Sequence, residues 1–324
     1  MNDSTQVARP ESASHWYIVG NDIKTYHTVP YAGKRGKAGE TRSTSLRDAR
    51  KVGAFPSVTN VLAMLHKEFL VAYKVNQAIL SCLTLPRIDG ESEDDFAKRA
   101  VMDGKEHSAS AARLGNRLHE LGAEYLQDPM VNIGNAGERV EGRDLADMQL
   151  PLRDLIRRIT PNGLCTEEEF SEFKVSHPIG YAGCCDGLQF IDNKDPIIYE
   201  KLVEAGYKDL ADATAPPIIV CDLKSRGAAA MKPPVYETDI LQLAAYLNAI
   251  PTTAGLGFSM GVANTPVANL LINTHPLAGQ DGRWVADIVI HKKEEVEKAW
   301  EAFKSLHKVW CWAKKYDPAE IQAN

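Results

Sequence analysis

Three strand-like segments follow one another in the second half of this 324-residue chain, and few folds accommodate them in that order. Residues 168–175 alternate in polarity, residues 181–190 follow a Pro-Ile-Gly turn, and residues 217–224 form a short apolar run rich in Ile and Val. Alternation and short β-branched runs are typical of β-strands. The central sheet is therefore predicted to be built from these three segments.

Helical periodicity frames the three strands. Residues 105–127 carry an apolar stripe at steps of three and four, formed by Ala111, Leu114, Leu118, Leu121 and Tyr125. The other elements are predicted in this order: helix 143–159 before the strands, then helix 236–249, strands 268–274 and 283–291, and a closing helix 292–315. The order helix, three strands, helix, strand predicts an α/β fold with a mixed sheet over residues 105–324.

The first third of the chain has a different character. Residues 1–14 are polar and are predicted to be a disordered tail. Residues 15–104 are predicted to hold two short strands, a basic loop and a helical lobe broken near Pro86 and Gly90. Ser57 is placed to cap a helix that runs through Leu65. The seven basic residues between positions 31 and 60 can meet phosphate through their local field, or can simply be solvated.

Composition indicates a soluble globular protein, with 44% apolar and 25% charged residues. No stretch approaches the roughly 20 apolar residues that a bilayer requires, so no membrane association is expected. The net charge of −6 argues against a surface that is basic throughout. The six cysteines show no CxxC spacing, which predicts neither a zinc ribbon nor a disulfide framework and favours a reducing cytoplasm.

Two charged residues interrupt the apolar run at 217–224. Side chains alternate along a strand, so Asp222 and Lys224 face one side while Leu223 faces the other. Their backbones are roughly 6–7 Å apart, which places an anionic ligand beside a cation. Two charges on a buried strand are costly unless they pair or bind an ion. The alternative is an ordinary surface ion pair, which an Asp-x-Lys sequence taken alone favours.

A second acid stands on the preceding strand. Asp186 lies among small residues, and Gly183 and Gly187 permit the close approach of a neighbouring strand or a ligand. The alternative is that Asp186 is only a turn residue before Gly187. Two acids borne by successive strands, one of them followed by x-Lys, favour a common cation site.

Two helices supply further polar side chains. His119 lies off the apolar stripe, and the flanking Gly115 and Gly122 predict an open notch in which a metal or phosphate comes close. Gln242 and Tyr246 share a face of the later helix that differs from its apolar stripe. The alternatives are a surface histidine on a glycine-weakened helix and the polar side of an ordinary amphipathic helix.

Four motifs thus follow one another along the chain: Leu114-Gly115-x-x-x-His119, Gly180-Tyr181-Ala182-Gly183-x-x-Asp186, Asp222-x-Lys224 and Gln242-x-x-x-Tyr246. Together they resemble the RecB-type branch of the PD-(D/E)XK nucleases, and most of all the phage-encoded and mitochondrial genome maintenance exonucleases. The resemblance covers about residues 45–250 and implies a restriction-endonuclease-like core with an N-terminal helical lobe. Asp222 stands where many members have Glu, and Cys184-Cys185 replaces a small or apolar pair.

The resemblance implies a Mg²⁺- or Mn²⁺-dependent deoxyribonuclease, an exonuclease that acts on DNA with a free single-stranded end. It assigns one or two metal ions to His119, Asp186, Asp222 and the Leu223 carbonyl. It assigns catalysis to Asp186, Asp222, Lys224, Gln242 and Tyr246, with Gln242 expected to fix Lys224. No iron–sulfur cluster is predicted, because Cys311 is the only cysteine near the C-terminus, where related nucleases place several.

Contacts with DNA are expected from Ser57, Thr59, Arg226, Lys232 and Tyr246. Ser57 is alternatively only a helix cap, while Arg226 and Lys232 are expected to hold the DNA backbone or are alternatively solvated. Two other functions stay open at this point: a catalytically inactive nucleic-acid-binding protein on the same fold, and a phage assembly protein. If the chain is phage-encoded, the host cytoplasm is the expected location. Strand polarity and oligomeric state are not predicted.

Overall fold

The computed structural model describes residues 15–30, 40–65, 68–128, 130–131, 139–140, 143–161, 171–227, 231–253, 264–275 and 277–322. Three predicted features lie outside these residues: the tail at 1–14, most of the basic loop, and the first residues of the strand predicted at 168–175. No helix among the described residues has the length and apolar character needed to cross a bilayer.

The N-terminal part consists of short elements and one helical hairpin. Its strands are β1 (Trp16–Val19), β2 (Ile23–Thr25), β3 (Thr28–Pro30), β4 (Thr41–Ser43) and β5 (Phe55–Pro56), and its helices are α1 (Leu46–Val52), α2 (Val58–Leu62), α3 (Glu68–Thr84) and α4 (Glu93–Gln127). β1 pairs with β2 and β5, and β3 pairs with β4. Ser57 caps α2, as predicted, but the helix ends at Leu62 and does not run to Leu65.

Helix α4 begins earlier than its periodicity predicted. The side chain of Ser92 accepts a hydrogen bond from the Asp95 N–H, and three acids occupy the first turn. A cap and first-turn acids stabilise a helix start, so α4 begins at Glu93 and not at residue 105. The predicted break near Pro86 and Gly90 is confirmed, because these residues connect α3 to α4.

A five-stranded mixed sheet forms the centre of the molecule. The elements after α4 are the short hairpin β6 (Arg139–Val140) and β7 (Arg143–Asp144), α5 (Ala146–Ile159), β8 (Ser171–His177), β9 (Tyr181–Phe190), α6 (Pro196–Glu204), α7 (Lys208–Ala211), β10 (Ile218–Arg226), α8 (Glu237–Thr253), β11 (Val267–Asn273), β12 (Ala286–Ile290), α9 (Lys293–Lys314) and α10 (Pro318–Gln322). The sheet order is β12-β11-β10-β9-β8, with β10 and β11 parallel and the other pairs antiparallel. The predicted α/β class and mixed sheet are confirmed.

Alternation along β10 divides the apolar core into two layers. Cys221 and Leu223 pack with α4 and α5 on one side, while Val220 packs with α8 and α9 on the other. Burial of these two apolar faces is what holds helices on both sides of the sheet. Asp222 and Lys224 therefore point to the α8 side, since they alternate with Cys221 and Leu223.

The ladder between β9 and β10 is short, and this creates a gap in the sheet. It covers Ile218–Cys221 on β10, whereas β10 continues to Arg226 in register with β11. On the edge of β9 beyond the ladder, Ser57 forms a parallel bridge with Ala182. The chain before α2 thus lies along β9 where β10 has departed. The polar residues of β9 and β10 meet at the mouth of this gap.

Candidate active site

Asp186 lies where the ladder between β9 and β10 ends. The last paired residues are Gly187 and Cys221, so the next position in this register sets Asp186 against Asp222. Here Asp186 Oδ2 accepts a hydrogen bond of 2.7 Å from the Leu223 N–H. The carboxylate takes the role of the strand carbonyl that would otherwise receive this donor. Asp186 is thereby fixed to the edge of β10.

The backbone of Leu223 directs both of its polar groups into the gap. In an extended strand the N–H and C=O of one residue point to the same edge. Because the Leu223 N–H points at Asp186, the Leu223 carbonyl is directed toward the same gap. The carbonyl that was predicted to be a metal ligand is therefore on the edge of β10 to which Asp186 is bonded.

His119 approaches Asp186 from α4. Its Nδ1 lies 3.1 Å from Asp186 Oδ2, and this buried nitrogen makes no hydrogen bond to a described residue. The space predicted around His119 is narrow. A Cβ at Gly122 would lie 2.8 Å from the side chain of Leu223, and one at Gly115 would lie 3.1 Å from Ser225 Oγ, so the two glycines allow α4 to pack closely against β10. A small cavity remains between the two elements, and His119, Gly122 and Asp186 are among its lining residues.

Lys224 and Asp222 form an ion pair that Gln242 braces. Lys224 Nζ lies 2.6 Å from Asp222 Oδ2 and donates to Gln242 Oε1 at 3.2 Å. The amide nitrogen of Gln242 donates to Asp222 Oδ1 at 3.3 Å. The sequence prediction that Gln242 fixes Lys224 matches these contacts. The alternative of a surface ion pair is excluded, because Asp222 is only 2% exposed.

Tyr246 lies behind Gln242 and is only 4% exposed. Its hydroxyl accepts a hydrogen bond of 2.8 Å from Gln242 Nε2. Its ring covers Gly183, where an added Cβ would come within 2.5 Å of the ring. Gly183 thus allows the close approach of the Tyr246 side chain from α8, and not that of a neighbouring strand or a ligand. Tyr246 supports Gln242 and does not present its ring to solvent.

Sequence reasoning missed two residues that contact this group. Asn269 on β11 lies beside Asp222 in register, and its Nδ2 donates to Asp222 Oδ2 at 3.3 Å. His291 Nε2 lies 2.7 Å from Asn269 Oδ1. The available signal was the polarity of Asn269 within the apolar segment Val-Ala-Asn-Leu-Leu-Ile.

The residues predicted to contact DNA lie at different distances from the acids. Ser57 lies beside Ala182, four residues before Asp186, which corresponds to roughly 13 Å along a strand. Its hydroxyl caps α2 by accepting from the Asn60 N–H, and it lies 2.9 Å from Thr59 Oγ1. Lys232 is exposed in the connection between β10 and α8.

Arg226 holds local structure at the end of β10. Its Nη2 donates to Asp239 Oδ2 at 2.5 Å, and its guanidinium lies 4.8 Å from the centre of the Tyr236 ring. The Asp239 carboxylate also accepts from the Tyr236 N–H at the start of α8. Arg226 is therefore paired with side chains of the protein, and the alternative that it is simply solvated is wrong. Asp239, one turn before Gln242, was not singled out from the sequence.

The electrostatics of the site reflect two carboxylates and a single lysine. Burial raises the pKa of Asp222, and the negative charge of Asp186 adds to this against the opposing effect of Lys224, so the pKa stays above its usual value. Burial lowers the pKa of Lys224, but the two carboxylates outweigh it and raise the pKa. Both directions are expected where buried negative charge is in excess.

Asp186 and His119 influence each other directly. Burial raises the pKa of Asp186, yet His119, Lys224 and the Leu223 N–H outweigh burial and lower it to about 2. Burial lowers the pKa of His119, but the Asp186 carboxylate outweighs burial and leaves this pKa above its usual value. Asp186 therefore stays ionised, which is the form that binds a cation.

The donor groups around the gap fit a hard divalent cation. Neighbouring ligands of an octahedrally bound Mg²⁺ are about 3 Å apart, which is close to the separation of His119 Nδ1 and Asp186 Oδ2. The two carboxylates and the Leu223 carbonyl are the oxygen donors that Mg²⁺ and Mn²⁺ prefer. Among the described residues, no three acidic, histidine or cysteine side chains are gathered as ligands around one point. Asp222 is instead turned toward Lys224, Gln242 and Asn269.

Comparison of the sequence with models of known protein families finds none that matches, and comparison with curated proteins finds no similar chain.

Proposed function

We propose that this protein is a Mg²⁺- or Mn²⁺-dependent DNA nuclease of the PD-(D/E)XK type with a restriction-endonuclease-like core. We infer further that it is an exonuclease that acts on DNA with a free single-stranded end in a reducing cytoplasm. The observation that carries the proposal is that the strand register brings Asp186 and Asp222 together at the gap between β9 and β10, with Lys224 beside Asp222 and His119 beside Asp186. A cation that neutralises the excess charge explains why two buried acids are placed together.

Each described side chain has a role in this proposal. Asp186, Asp222, His119 and the Leu223 carbonyl hold the cation. When bound, the cation lowers the pKa of a coordinated water and offsets the charge that develops on the phosphate. Lys224, held by Asp222 and Gln242, orients the attacking water or neutralises the phosphate. Tyr246 keeps Gln242 in place through its hydroxyl.

The position of the α2 N-terminus supports a path by which a DNA strand reaches Asp186. Ser57 and Thr59 lie along the edge of β9 that leads to Asp186. This edge lies roughly 13 Å from Asp186, within reach of a phosphate one or two nucleotides from the scissile bond, and Thr59 is exposed there whereas Ser57 is only 3% exposed. A nucleic acid that enters the gap would follow this edge.

The test is digestion of DNA whose 5′ or 3′ end carries a label. Linear single strands, linear duplexes and a closed circle are incubated with the protein in Mg²⁺, in Mn²⁺ and in EDTA. We expect metal-dependent cleavage of linear DNA, with the closed circle left intact. Asp48→Asn is a matched control, because Asp48 is a buried acid of the N-terminal part whose partners lie outside the gap.

Cleavage that persists in EDTA would contradict the metal dependence. Cleavage of the closed circle at the rate of the linear strand would contradict the exonuclease assignment while leaving a nuclease. DNA binding without cleavage in either metal would instead identify a catalytically inactive binding protein.

A further inference from the structure

Strand β11 buries one amide next to the acid of β10. Asn269 has no exposed surface, and its neighbours Ala268 and Leu270 are apolar and buried. A buried amide costs free energy unless its donors and acceptor are paired. Asn269 lies in register with Asp222, so the two side chains leave adjacent strands on the same side of the sheet.

The direction of the hydrogen bonds around Asn269 follows from chemistry. An ionised carboxylate can only accept, so the amide nitrogen faces Asp222, where it lies 3.3 Å from both Oδ2 and the backbone oxygen. The amide oxygen then faces His291 Nε2 at 2.7 Å. This oxygen can only accept, so His291 must carry its proton on Nε2.

We propose that Asn269 and His291 are positioning residues that fix the Asp222 carboxylate, which is one of the groups that would hold a divalent cation. This inference rests on the proposed function and adds the residues that determine metal affinity at that site. His291 orients Asn269, and Asn269 holds Asp222 Oδ2 from β11. Without this donor, Asp222 is held by Lys224 and Gln242 alone. Substitution of a residue that orients a metal ligand typically lowers the metal affinity about 10- to 100-fold.

The chain offers a matched control on the same strand. Asn273 is also buried on β11, on the same side of the sheet as Asn269. Its side chain donates to the Trp284 carbonyl and accepts from the His275 N–H, both of which are backbone groups. Asn273→Leu therefore removes a buried amide of the same kind at a position paired with Arg226 and not with Asp222.

The first experiment is calorimetric titration of Mn²⁺ into the folded wild type, Asn269→Leu and Asn273→Leu, with thermal melts of each. We expect Asn269→Leu to raise the Mn²⁺ Kd about tenfold or more. Asn273→Leu is expected to lower the Tm and to leave the Kd within twofold of wild type. A Kd for folded Asn269→Leu within twofold of wild type would overturn the proposal.

A second pair of variants decides the matter if Asn269→Leu does not fold. His291→Phe removes the donor to Asn269, whereas His291→Gln can still donate from its amide nitrogen. We expect His291→Phe to weaken Mn²⁺ binding severalfold and His291→Gln to restore it. Equal Mn²⁺ affinity in both variants would argue against a role for the donor.

Nitrogen NMR of His291 in the wild type tests the hydrogen-bond direction independently of metal. The expected spectrum shows Nε2 protonated and Nδ1 unprotonated in the neutral ring. The opposite tautomer would overturn the inference. A wild type with the expected tautomer that binds no Mn²⁺ would instead overturn the proposed function, so the two failures are distinguishable.

Discussion

Among the described residues, buried carboxylates of the N-terminal part and of the gap between β9 and β10 have different partners. In the N-terminal part, Asp48 accepts from Arg42 through both oxygens, and also from the Ser45 backbone and hydroxyl. The hydrogen bonds from Arg42 and Ser45 hold the pKa of Asp48 well below its usual value. One acid here has one cation, and the contacts form the capping box of α1.

At the gap between β9 and β10, two acids lie beside one lysine and one histidine. Asp186 is tied to the Leu223 N–H and faces His119, while Asp222 takes Lys224. Burial and the charge of Asp186 keep the pKa of Asp222 raised, in the direction opposite to that of Asp48. The difference teaches that an acid matched by its own chain serves the fold, whereas acids in excess indicate a cation supplied from solution.

Substitution of Asp186, Asp222 or Lys224 at the gap has the largest expected effect, which is a loss of DNA cleavage. Asp186→Asn, Asp222→Asn and Lys224→Met should each reduce DNA cleavage about a thousandfold or more, since metal-assisted charge stabilisation contributes several kcal/mol. The measurement is the initial rate on a labelled linear single strand at saturating Mn²⁺. Asp48→Asn, measured below its own Tm, should retain the wild-type rate within a few-fold. Full activity in any one of the three gap variants would remove that residue from the mechanism.

The next effect concerns stability, for which substitution in the N-terminal part should matter more than substitution at the gap. Asp48→Ala removes the capping box and leaves Arg42 without its carboxylate, so it should lower the free energy of unfolding by about 2 kcal/mol. Urea unfolding of metal-free protein measures this. The double variant Asp222→Asn/Lys224→Met should unfold at an equal or higher urea concentration than wild type, because it replaces both partners of a buried ion pair by uncharged side chains. A larger loss of stability in this double variant than in Asp48→Ala would break the distinction between the two regions.

The sequence was sufficient for the parts of the site that follow from local periodicity. The alternation of 217–224 put Asp222 and Lys224 on one side of a strand, and the step of four put Gln242 beside Tyr246, as their contacts show. The strand predicted at 181–190 has the limits of β9. These features depend on neighbours within a single element.

Features that depend on pairing between distant segments were missed or only partly predicted. The contact of Asn269 with Asp222 depends on the register of β11, which local patterns do not specify. The space beside Gly122 is narrowed by Leu223, a residue of a strand far along the chain, so its size could not be judged from the helix alone. Helix α6 was missed although Asp195 and Pro196 give it a cap and a first-turn proline.

Added metal should raise the Tm of the protein only when both acids at the gap are present. A ligand that binds the folded state alone, at about 100 times its Kd, stabilises by about 2.7 kcal/mol. Mn²⁺ should therefore raise the Tm of the wild type and of Asp48→Asn by several degrees, relative to EDTA. Asp186→Asn and Asp222→Asn should show little or no rise. An equal rise in all four proteins would place the Mn²⁺ site elsewhere.

The smallest expected effect is a difference in the sign of the pH dependence. The pKa of Asp48 is lower in the folded state, so its contribution is present above about pH 4 and is lost as the pH falls. The pKa of Asp222 is higher in the folded state, so its ionised form destabilises the metal-free protein at neutral pH. Against wild type in EDTA, Asp48→Asn should be less stable at pH 7, and the double variant Asp222→Asn/Lys224→Met should be equally or more stable. Both differences should shrink in acid, and urea unfolding across about pH 2–7 measures them. If both variants were less stable than wild type at pH 7, the contrast between the two regions would be contradicted.

The central claim is that the two acids at the gap bind a divalent cation in common. Anomalous diffraction from crystals soaked in Mn²⁺ tests it most directly, because it locates the ion without reference to activity. The account predicts a peak at the gap within about 2.2 Å of oxygens of both Asp186 and Asp222. Ordered crystals with Mn²⁺ bound elsewhere, and with Asp222 still paired to Lys224, would contradict it.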